Sequence, residues 1–432
     1  MKKNNYKDGD YLEIFTSEDN FKGHLIPSTD KNIYVIKLDS GYNMGIKKNK
    51  IKKISLIKKN IPKKEKLAKI VHNENLPTIS ILHTGGTLAS RVSYETGAVS
   101  ASFTAEEILA MFPELEKKAN VHSHLISNMF SEDMRFAHYN LIAKAIEKEV
   151  DKGVKGVIIT HGTDTIHYTS AALSFILENL NIPVILVGSQ RSSDRGSSDS
   201  ELNLLCAVDF IIKTDFKGVA ICMHESMSDE SCLILPGLKT RKLHSSRRDA
   251  FKVVNALPIA RVFRQGKIET LSDYNKESFG KLKLKLINEK LKIGMLKVHP
   301  NMYSSEIKNY SSFDGLVIEG TGLGHMPINT LNNLTKEHAL IFNELSKLAK
   351  KIPVIMTTQT LFGNVNMNVY STGRKLLEVG VLGNYLDIMP EVAFIKLAWL
   401  LSNHNKNEVK DLIKKNLRGE INKKITGKEF LE

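Results

Sequence analysis

Three short motifs carry the hydroxyl, carboxylate and amine groups that nucleophilic chemistry at a carbonyl requires. Residues 83–87, HTGGT, directly follow an apolar run. Two adjacent glycines let the backbone turn sharply and approach a ligand closely, so the Thr84 hydroxyl and nearby N–H groups face one space. Considered alone, this motif is more typical of a plain or phosphate-binding turn than of a catalytic site.

The second motif, residues 160–165 (THGTDT), lies where a strand pattern ends and a helix pattern begins. Free N–H groups at a helix N-terminus bind anions, although capping of the first turn is the simpler interpretation for Thr163 or Asp164 taken singly. The third motif, KLHSSRRDAF at 242–251, contains a lysine whose pKa can shift if it is buried. Considered alone, it is better explained as a solvated basic loop.

Together, the spacing of the three motifs resembles the L-asparaginase family over roughly residues 77–400. In that family two threonines, a lysine and an aspartate form the catalytic group, with no metal and no cofactor. The resemblance implies an α/β fold with an asparaginase-like two-domain parallel-sheet core. Matched by motif position, the implied catalytic residues are Thr84, Thr163, Asp164 and Lys242, and the implied substrate-binding residues are Tyr94, Ser131 and Glu132.

The chemistry expected of these residues is acyl transfer to a threonine. A hydroxyl is a weak nucleophile and needs an adjacent base, which either Tyr94 or the Thr163–Lys242 pair could supply, while Asp164 balances the lysine charge. Attack on an amide carbonyl gives an acyl-enzyme and ammonia, and backbone N–H groups serve as the oxyanion hole. The sequence leaves open which threonine attacks first, and we expect Thr84.

One substrate-binding position departs from the family pattern. Ser131 matches a serine that holds the substrate carboxylate, and the next residue is glutamine in simple bacterial asparaginases but Glu132 here. Glu132 can still accept a hydrogen bond from a substrate ammonium group, yet it argues against a simple asparaginase. Glu319, before a glycine-rich loop, is a further candidate contributor, although turn geometry alone explains those glycines.

Several other stretches are similar to the archaeal family of glutamyl-tRNA(Gln) amidotransferase D subunits, above all NMNVYSTGR at 366–374 and MPEVAFIKLAWLL from 389. This resemblance implies that the chain hydrolyses glutamine. It also implies a partner, the amidotransferase E subunit, that uses ATP and magnesium to activate glutamate on Glu-tRNA(Gln) and receives the ammonia. A heterotetramer with two copies of each chain and a homodimeric core is expected. The chain itself has no GxxxxGK[ST] phosphate loop.

The elements that must position these motifs are strands alternating with helices, as in βαβ units with a parallel sheet. Ligands of such sheets bind beyond the carboxyl ends of the strands, where the motifs fall. Ahead of them, short alternating strands predict a small β-barrel. The predicted organisation is a barrel at 1–60, a linker at 61–76, a catalytic α/β domain at 77–265, a connection at 266–290, and a smaller α/β domain with a basic tail at 291–432.

Composition and charge indicate the possible partners and the cellular compartment of the protein. The first 75 residues contain 17 lysines and no arginine against nine acidic residues. This excess fits a surface for a polyanion such as tRNA. A lysine-rich organism with an AT-rich genome is the simpler explanation, and the lack of arginine and of an aromatic-basic motif weakens the polyanion interpretation. Three cysteines do not make a disulfide framework. The N-terminus has a charged start without an apolar region behind it, so no secretory signal is expected, and the sequence contains no membrane-length apolar run and no CxxC or HExxH motif. These features predict a cytoplasmic protein without a membrane partner.

Two other interpretations remain open. The chain could be a free-standing cytoplasmic L-asparaginase or glutaminase with an unrelated N-terminal module, which would be highly active without tRNA or a partner. It could also be a non-catalytic scaffold that kept the fold. A scaffold predicts the loss of a catalytic residue, whereas all four catalytic positions are occupied by the expected residue types.

Overall fold

The computed structural model describes residues 6–28, 30–40, 42–60, 72–86, 88, 90–92, 99–101, 104–193 and 197–430. Most of the predicted linker therefore lies outside the described residues, as does Tyr94. The predicted domain boundaries stay predictions.

The N-terminal part is a five-stranded antiparallel sheet. Its strands are β1 (Tyr11–Thr16), β2 (Asn20–Ile26), β3 (Ile33–Leu38), β4 (Asn43–Lys47) and β5 (Ile51–Lys58), in the order β4-β3-β2-β1-β5. Alternating side chains put one face inside, where Leu12, Ile14 and Ile36 are fully buried. Within the described residues no ladder joins the edge strands β4 and β5. The expected closure into a small barrel stays a prediction.

The next part contains an eight-stranded sheet with helices on both faces. Its strands are β6 (Thr78–His83), β9 (Asn120–Leu125), β10 (Gly156–Thr160), β12 (Pro183–Val187), β13 (Gly218–His224), β14 (Ser231–Pro236), β17 (Ala260–Phe263) and β18 (Ile268–Thr270). Short ribbons are formed by β7 (Ser90–Val92) with β8 (Val99–Ala101) and by β15 (Thr240–Lys242) with β16 (Phe251–Val253), and β11 (Leu177–Glu178) pairs with a later strand. The helices are α1 (Ala105–Met111), α2 (Phe136–Asp151), α3 (Ile166–Ile176) and α4 (Ser200–Lys213).

This sheet has the order β18-β17-β14-β13-β12-β10-β6-β9, in which β9, β6, β10, β12 and β13 run parallel. Every residue of β10 and β12 is buried, as expected for strands covered by helices on both faces. Helices α2 and α3 cover one face, and α1 and α4 the other. The carboxyl ends of β6 and β10 therefore meet at one edge.

The C-terminal part is built on a three-stranded parallel sheet. Its elements are β19 (Lys283–Leu284), β20 (Ile293–Lys297), α5 (Ser304–Lys308), β21 (Gly315–Gly320), α6 (Glu337–Lys351), β22 (Val354–Thr358), α7 (Ser371–Glu378), α8 (Pro390–Asn403) and α9 (Lys406–Leu412). The sheet has the order β20-β21-β22, and β19 pairs with β11 of the preceding part.

Helix α8 joins the two parts. It is apolar on nearly all sides, which is typical of a buried helix, and it packs against both the three-stranded sheet and α3. The ring of Phe394 on α8 lies 6.1 Å from that of Tyr168 on α3. The C-terminal part is therefore packed against the helix that follows the second motif.

Candidate active site

The first two motifs meet because their strands are neighbours. Strands β6 and β10 pair in parallel, with His83 opposite Thr160. Thr84 and the 161–165 segment therefore leave the sheet side by side at its carboxyl edge, where ligands of such sheets bind.

Glycines allow the loops at this edge to come closer than side chains would permit. Gly86 has φ +87°, and a Cβ there would lie 2.7 Å from the Gly162 nitrogen. A Cβ on Gly162 would in turn lie 2.8 Å from the Cβ of Ser131. On the other side, a Cβ on Gly188 would lie 2.7 Å from Thr163 Cγ2. Because these three positions have no side chain, the loops around the first two motifs can pack directly against each other.

Lys242 reaches this edge from β15. Its Nζ donates hydrogen bonds to Thr163 Oγ1 at 2.9 Å and to Asp164 Oδ1 at 2.8 Å. The lysine side chain is 9% exposed and that of Asp164 is 67% exposed. The pair therefore joins a nearly buried amine to a carboxylate that water can reach, and solvent screens its attraction. Three of the four residues expected to be catalytic form one hydrogen-bonded group.

Thr84, the fourth, is 1% exposed and bonded elsewhere. Its hydroxyl donates to the Thr160 carbonyl at 2.9 Å, and its own N–H donates to the same oxygen at 3.1 Å. The hydroxyl must leave this carbonyl before it can attack a substrate. Tyr94, expected to act beside it, lies outside the described residues.

The expected carboxylate-binding position lies against the second motif. Ser131 is buried, and its carbonyl accepts a 2.6 Å hydrogen bond from the Thr165 hydroxyl. Glu132 follows it on a short 3-10 helix and is exposed. A substrate in this space could therefore meet Ser131 and Glu132 beside the Thr163 loop.

The histidines of the first two motifs are structural. His83 Nδ1 lies 2.8 Å from Thr160 Oγ1, and His161 Nε2 lies 2.7 Å from Thr169 Oγ1. Burial lowers the pKa of His83 to about 3 and that of His161 to about 4. Both rings are therefore neutral near pH 7 and are weak bases, so they brace the loops instead of accepting the nucleophile's proton.

A buried aspartate that sequence reasoning missed holds the loop behind Thr163. Both oxygens of Asp199 accept backbone hydrogen bonds, from Gln190 N at 3.0 Å and Arg191 N at 2.9 Å. Asn203 Nδ2 donates to the Gly188 carbonyl in the same loop at 3.0 Å. The signal was an aspartate at the N-cap position of α4, which is too common to single out.

Across the described ranges, no group of three or more His, Cys, Asp or Glu side chains could hold a metal ion. Every helix in the same ranges is too short or too polar to span a lipid bilayer.

The fold and site define an amidohydrolase of the asparaginase type. Residues 78–276 match the family described as asparaginase, N-terminal, and residues 292–412 match the glutaminase/asparaginase C-terminal domain. The L-asparaginase from Thermococcus kodakarensis superposes with a TM-score of 0.70 at 29% identity, covering 80% of this chain and 100% of its own. L-asparaginase I from Vibrio cholerae gives 0.68 at 30% identity, covering 80% and 99%.

Relatives that match nearly the whole chain identify a more specific family. Residues 6–57 match the GatD N-terminal domain. The D subunit of glutamyl-tRNA(Gln) amidotransferase from Pyrococcus furiosus is 44% identical, with 98% of this chain and 96% of the relative covered. That of Methanococcus maripaludis is 43% identical, covering 96% and 98%. The chain belongs to the family of glutamyl-tRNA(Gln) amidotransferase D subunits.

Proposed function

We propose that this chain is the glutaminase subunit of a tRNA-dependent amidotransferase. It hydrolyses glutamine and supplies ammonia to a partner that converts Glu-tRNA(Gln) to Gln-tRNA(Gln). One observation favours this function over that of a simple asparaginase. The two solved asparaginases match 80% of this chain over 99–100% of their own length. The D-subunit relatives also match the N-terminal sheet.

The proposed nucleophile is Thr84. Its hydroxyl oxygen attacks the side-chain amide carbon of glutamine, and its proton passes to a base, either Tyr94 or the Thr163–Lys242 pair. The C–N bond then breaks and a proton is delivered to the departing nitrogen, which leaves as ammonia. Water attacks the resulting ester and releases glutamate, which regenerates the threonine. Backbone N–H groups of the glycine-rich loop stabilise the oxyanion.

The hydrogen bonds of Lys242 support its assignment to catalysis with Thr163 and Asp164. A lysine held between a hydroxyl and a carboxylate can relay a proton without leaving its place. We assign the substrate's α-carboxylate to Ser131 and its ammonium group to Glu132 and Asp164. Glutamine is therefore held at one end while its side-chain amide reaches the threonines.

The partner supplies the chemistry that this chain lacks. We propose a heterotetramer with two copies each of this chain and the amidotransferase E subunit, built on a homodimer of this chain, in the cytoplasm. ATP and magnesium act at the partner, which activates the glutamate carboxylate on tRNA. Glu-tRNA(Gln) is bound mainly by the partner.

The second candidate is a free-standing cytoplasmic asparaginase or glutaminase, favoured by the 0.70 TM-score to the Thermococcus kodakarensis enzyme. The two are separated by measuring ammonia release from glutamine and asparagine, with and without the E subunit and Glu-tRNA(Gln). Stimulation of glutamine hydrolysis by both additions supports the amidotransferase. Full activity of the isolated chain, unchanged by either addition, contradicts it.

A further inference from the structure

The strand that carries Lys242 is tied to the C-terminal part by two ion pairs. Just before β15, Lys239 Nζ lies 2.7 Å from Asp387 Oδ2, and the two side chains are 3% and 2% exposed. Two residues on, Arg241 forms an ion pair with Glu391, whose side chain is 4% exposed. Lys239 and Asp387 are 148 residues apart in the chain, so these are long-range contacts, and Lys242 follows directly.

The acidic partner Asp387 is itself held by further hydrogen bonds. The Asp387 carboxylate also accepts hydrogen bonds from the backbone and side-chain nitrogens of Asn422, both at 2.9 Å. Glu391 is the second residue of α8, where the free N–H groups of a first turn stabilise a carboxylate. Because α8 also packs on α3, Glu391 is tied to the helix that follows the Thr163 loop.

Strand geometry transmits this anchoring to the lysine. Successive side chains of a strand point to opposite faces, so Arg241 faces α8 while Lys242 faces Thr163. Rotation or sliding of β15 would move the Lys242 amine and the Arg241 guanidinium together. Strand β15 is also paired with β16, in which Phe251 lies opposite Lys242. The Phe251 side chain is 1% exposed, so packing in the core holds β16 in place.

Stability alone does not explain two ion pairs at this place. The loss of hydration offsets most of the attraction in a buried pair, so apolar residues of similar size stabilise a fold equally well or better. A buried charged pair does fix the relative position of its two segments, because moving them apart would leave two unpaired charges in the interior. The location next to Lys242 therefore indicates a positioning role.

We propose that Lys239–Asp387 and Arg241–Glu391 are positioning pairs that hold Lys242 within hydrogen-bond distance of Thr163. The C-terminal part thereby sets the geometry of a catalytic lysine that belongs to the other part. This inference rests on the proposed glutaminase function.

The test compares Glu391→Gln and Asp387→Asn with the wild type in the full chain assembled with the E subunit. Displacement of a catalytic group by about 1 Å lowers turnover on the order of 100-fold, so kcat for glutamine hydrolysis should fall by about 10- to 100-fold. KM should stay within about twofold, because substrate binding is assigned to other residues.

The matched control is Asp209→Asn. It neutralises another buried carboxylate, 2% exposed and 2.8 Å from Lys118 Nζ. Asp209 lies on α4, which covers the opposite face of the large sheet from the one on which Phe251 of β16 packs. Its folded enzyme should therefore keep the wild-type kcat.

The outcomes separate this inference from the function on which it rests. A wild-type complex that releases no ammonia from glutamine overturns the proposed function. An active wild type with normal kcat in both Glu391→Gln and Asp387→Asn overturns the positioning role alone, as does an equal loss of kcat in Asp209→Asn. If the neutral variants fail to fold, Arg241→Lys decides. It keeps the charge but shifts the contact, and it should lower kcat at unchanged KM, so a wild-type kcat contradicts the proposal.

Discussion

Lys242 Nζ lies 2.9 Å from the hydroxyl oxygen of Thr163, although 79 residues separate the two in the chain. The same amine lies 2.8 Å from the Asp164 carboxylate. Neither neighbour is reached by local geometry, because Lys242 comes from β15 and the other two from the loop after β10. The contact is the tertiary arrangement that makes a proton relay possible at this edge of the sheet.

Replacement of this amine should therefore lower turnover strongly while leaving the fold intact. Lys242→Met keeps the apolar stem that lies along the site but removes the hydrogen bonds to Thr163 and Asp164. We expect kcat for glutamine hydrolysis to fall by about 100-fold or more, the usual effect of losing an acid–base group. Steady-state ammonia release measures it, and Lys290→Met, at an exposed position, is the control. A variant with more than half of the wild-type kcat contradicts the assignment.

Replacing the proposed nucleophile should separate two activities of the complex, glutamine hydrolysis and ammonia-dependent amidation. Thr84→Ala should lower glutamine hydrolysis by more than about 1000-fold, as is typical when a nucleophile is removed. Ammonia-dependent amidation of Glu-tRNA(Gln) by the complex should remain, since the partner's site is untouched. Thr84→Ser keeps a hydroxyl and should retain measurable hydrolysis. Retained glutaminase activity in the alanine variant would refute the assignment of Thr84.

The three motifs could be found in the sequence because each is a short continuous segment. The first two could be expected to meet because parallel strands bring their carboxyl ends together. The HTGGT and THGTDT segments needed only neighbouring strands to meet, as β6 and β10 do. The Asp199 network and the ion pairs of Arg241 and Lys239 were missed, because their partners depend on long-range packing. Helix α1 ends at Met111 for a local reason, because the residue before Pro113 is disfavoured in the helical region.

The proposed role of Ser131 in substrate binding can be tested by adding one methyl group at Gly162, which packs closely against it. In Gly162→Ala, the new Cβ would lie 2.8 Å from Ser131 Cβ and 2.9 Å from its Oγ, so Ser131 must shift. Loss of a hydrogen bond to a charged group costs about 1.5–3 kcal/mol, so KM for glutamine should rise by about 10- to 100-fold. Gly427→Ala, where no atom lies within 4 Å, is the control. An unchanged KM in Gly162→Ala would show that Ser131 does not hold the substrate.

The buried histidines predict a loss of stability in mild acid. Burial lowers the pKa of His161 from 6.5 to about 4 and that of His83 to about 3. Below pH 6.5 the unfolded chain binds protons that the folded chain does not, so stability falls as pH falls towards 4. Each histidine contributes about 1.4 kcal/mol per pH unit. Urea unfolding at about pH 7 and pH 5 measures the slope, which should become shallower in His161→Gln. Equal slopes in the two proteins contradict the prediction.

The lysine-rich N-terminal sheet predicts a salt-sensitive contribution to tRNA binding by the complex. Its charge excess lies in the first 75 residues, and the side chains of Lys50, Lys52 and Lys53 are exposed. Each phosphate contact adds about 0.9 to the slope of log affinity against log salt, so deleting residues 1–72 should weaken binding and reduce that slope.

Replacing the three lysines by glutamine in the intact chain should have a smaller effect of the same sign. Neutralising three exposed lysines of the C-terminal part, Lys308, Lys336 and Lys350, is the matched control and should change neither quantity. Filter binding of labelled tRNA between about 50 and 200 mM salt measures both. Unchanged affinity and slope after the deletion mean that the sheet does not contact tRNA, and its charge then reflects composition alone.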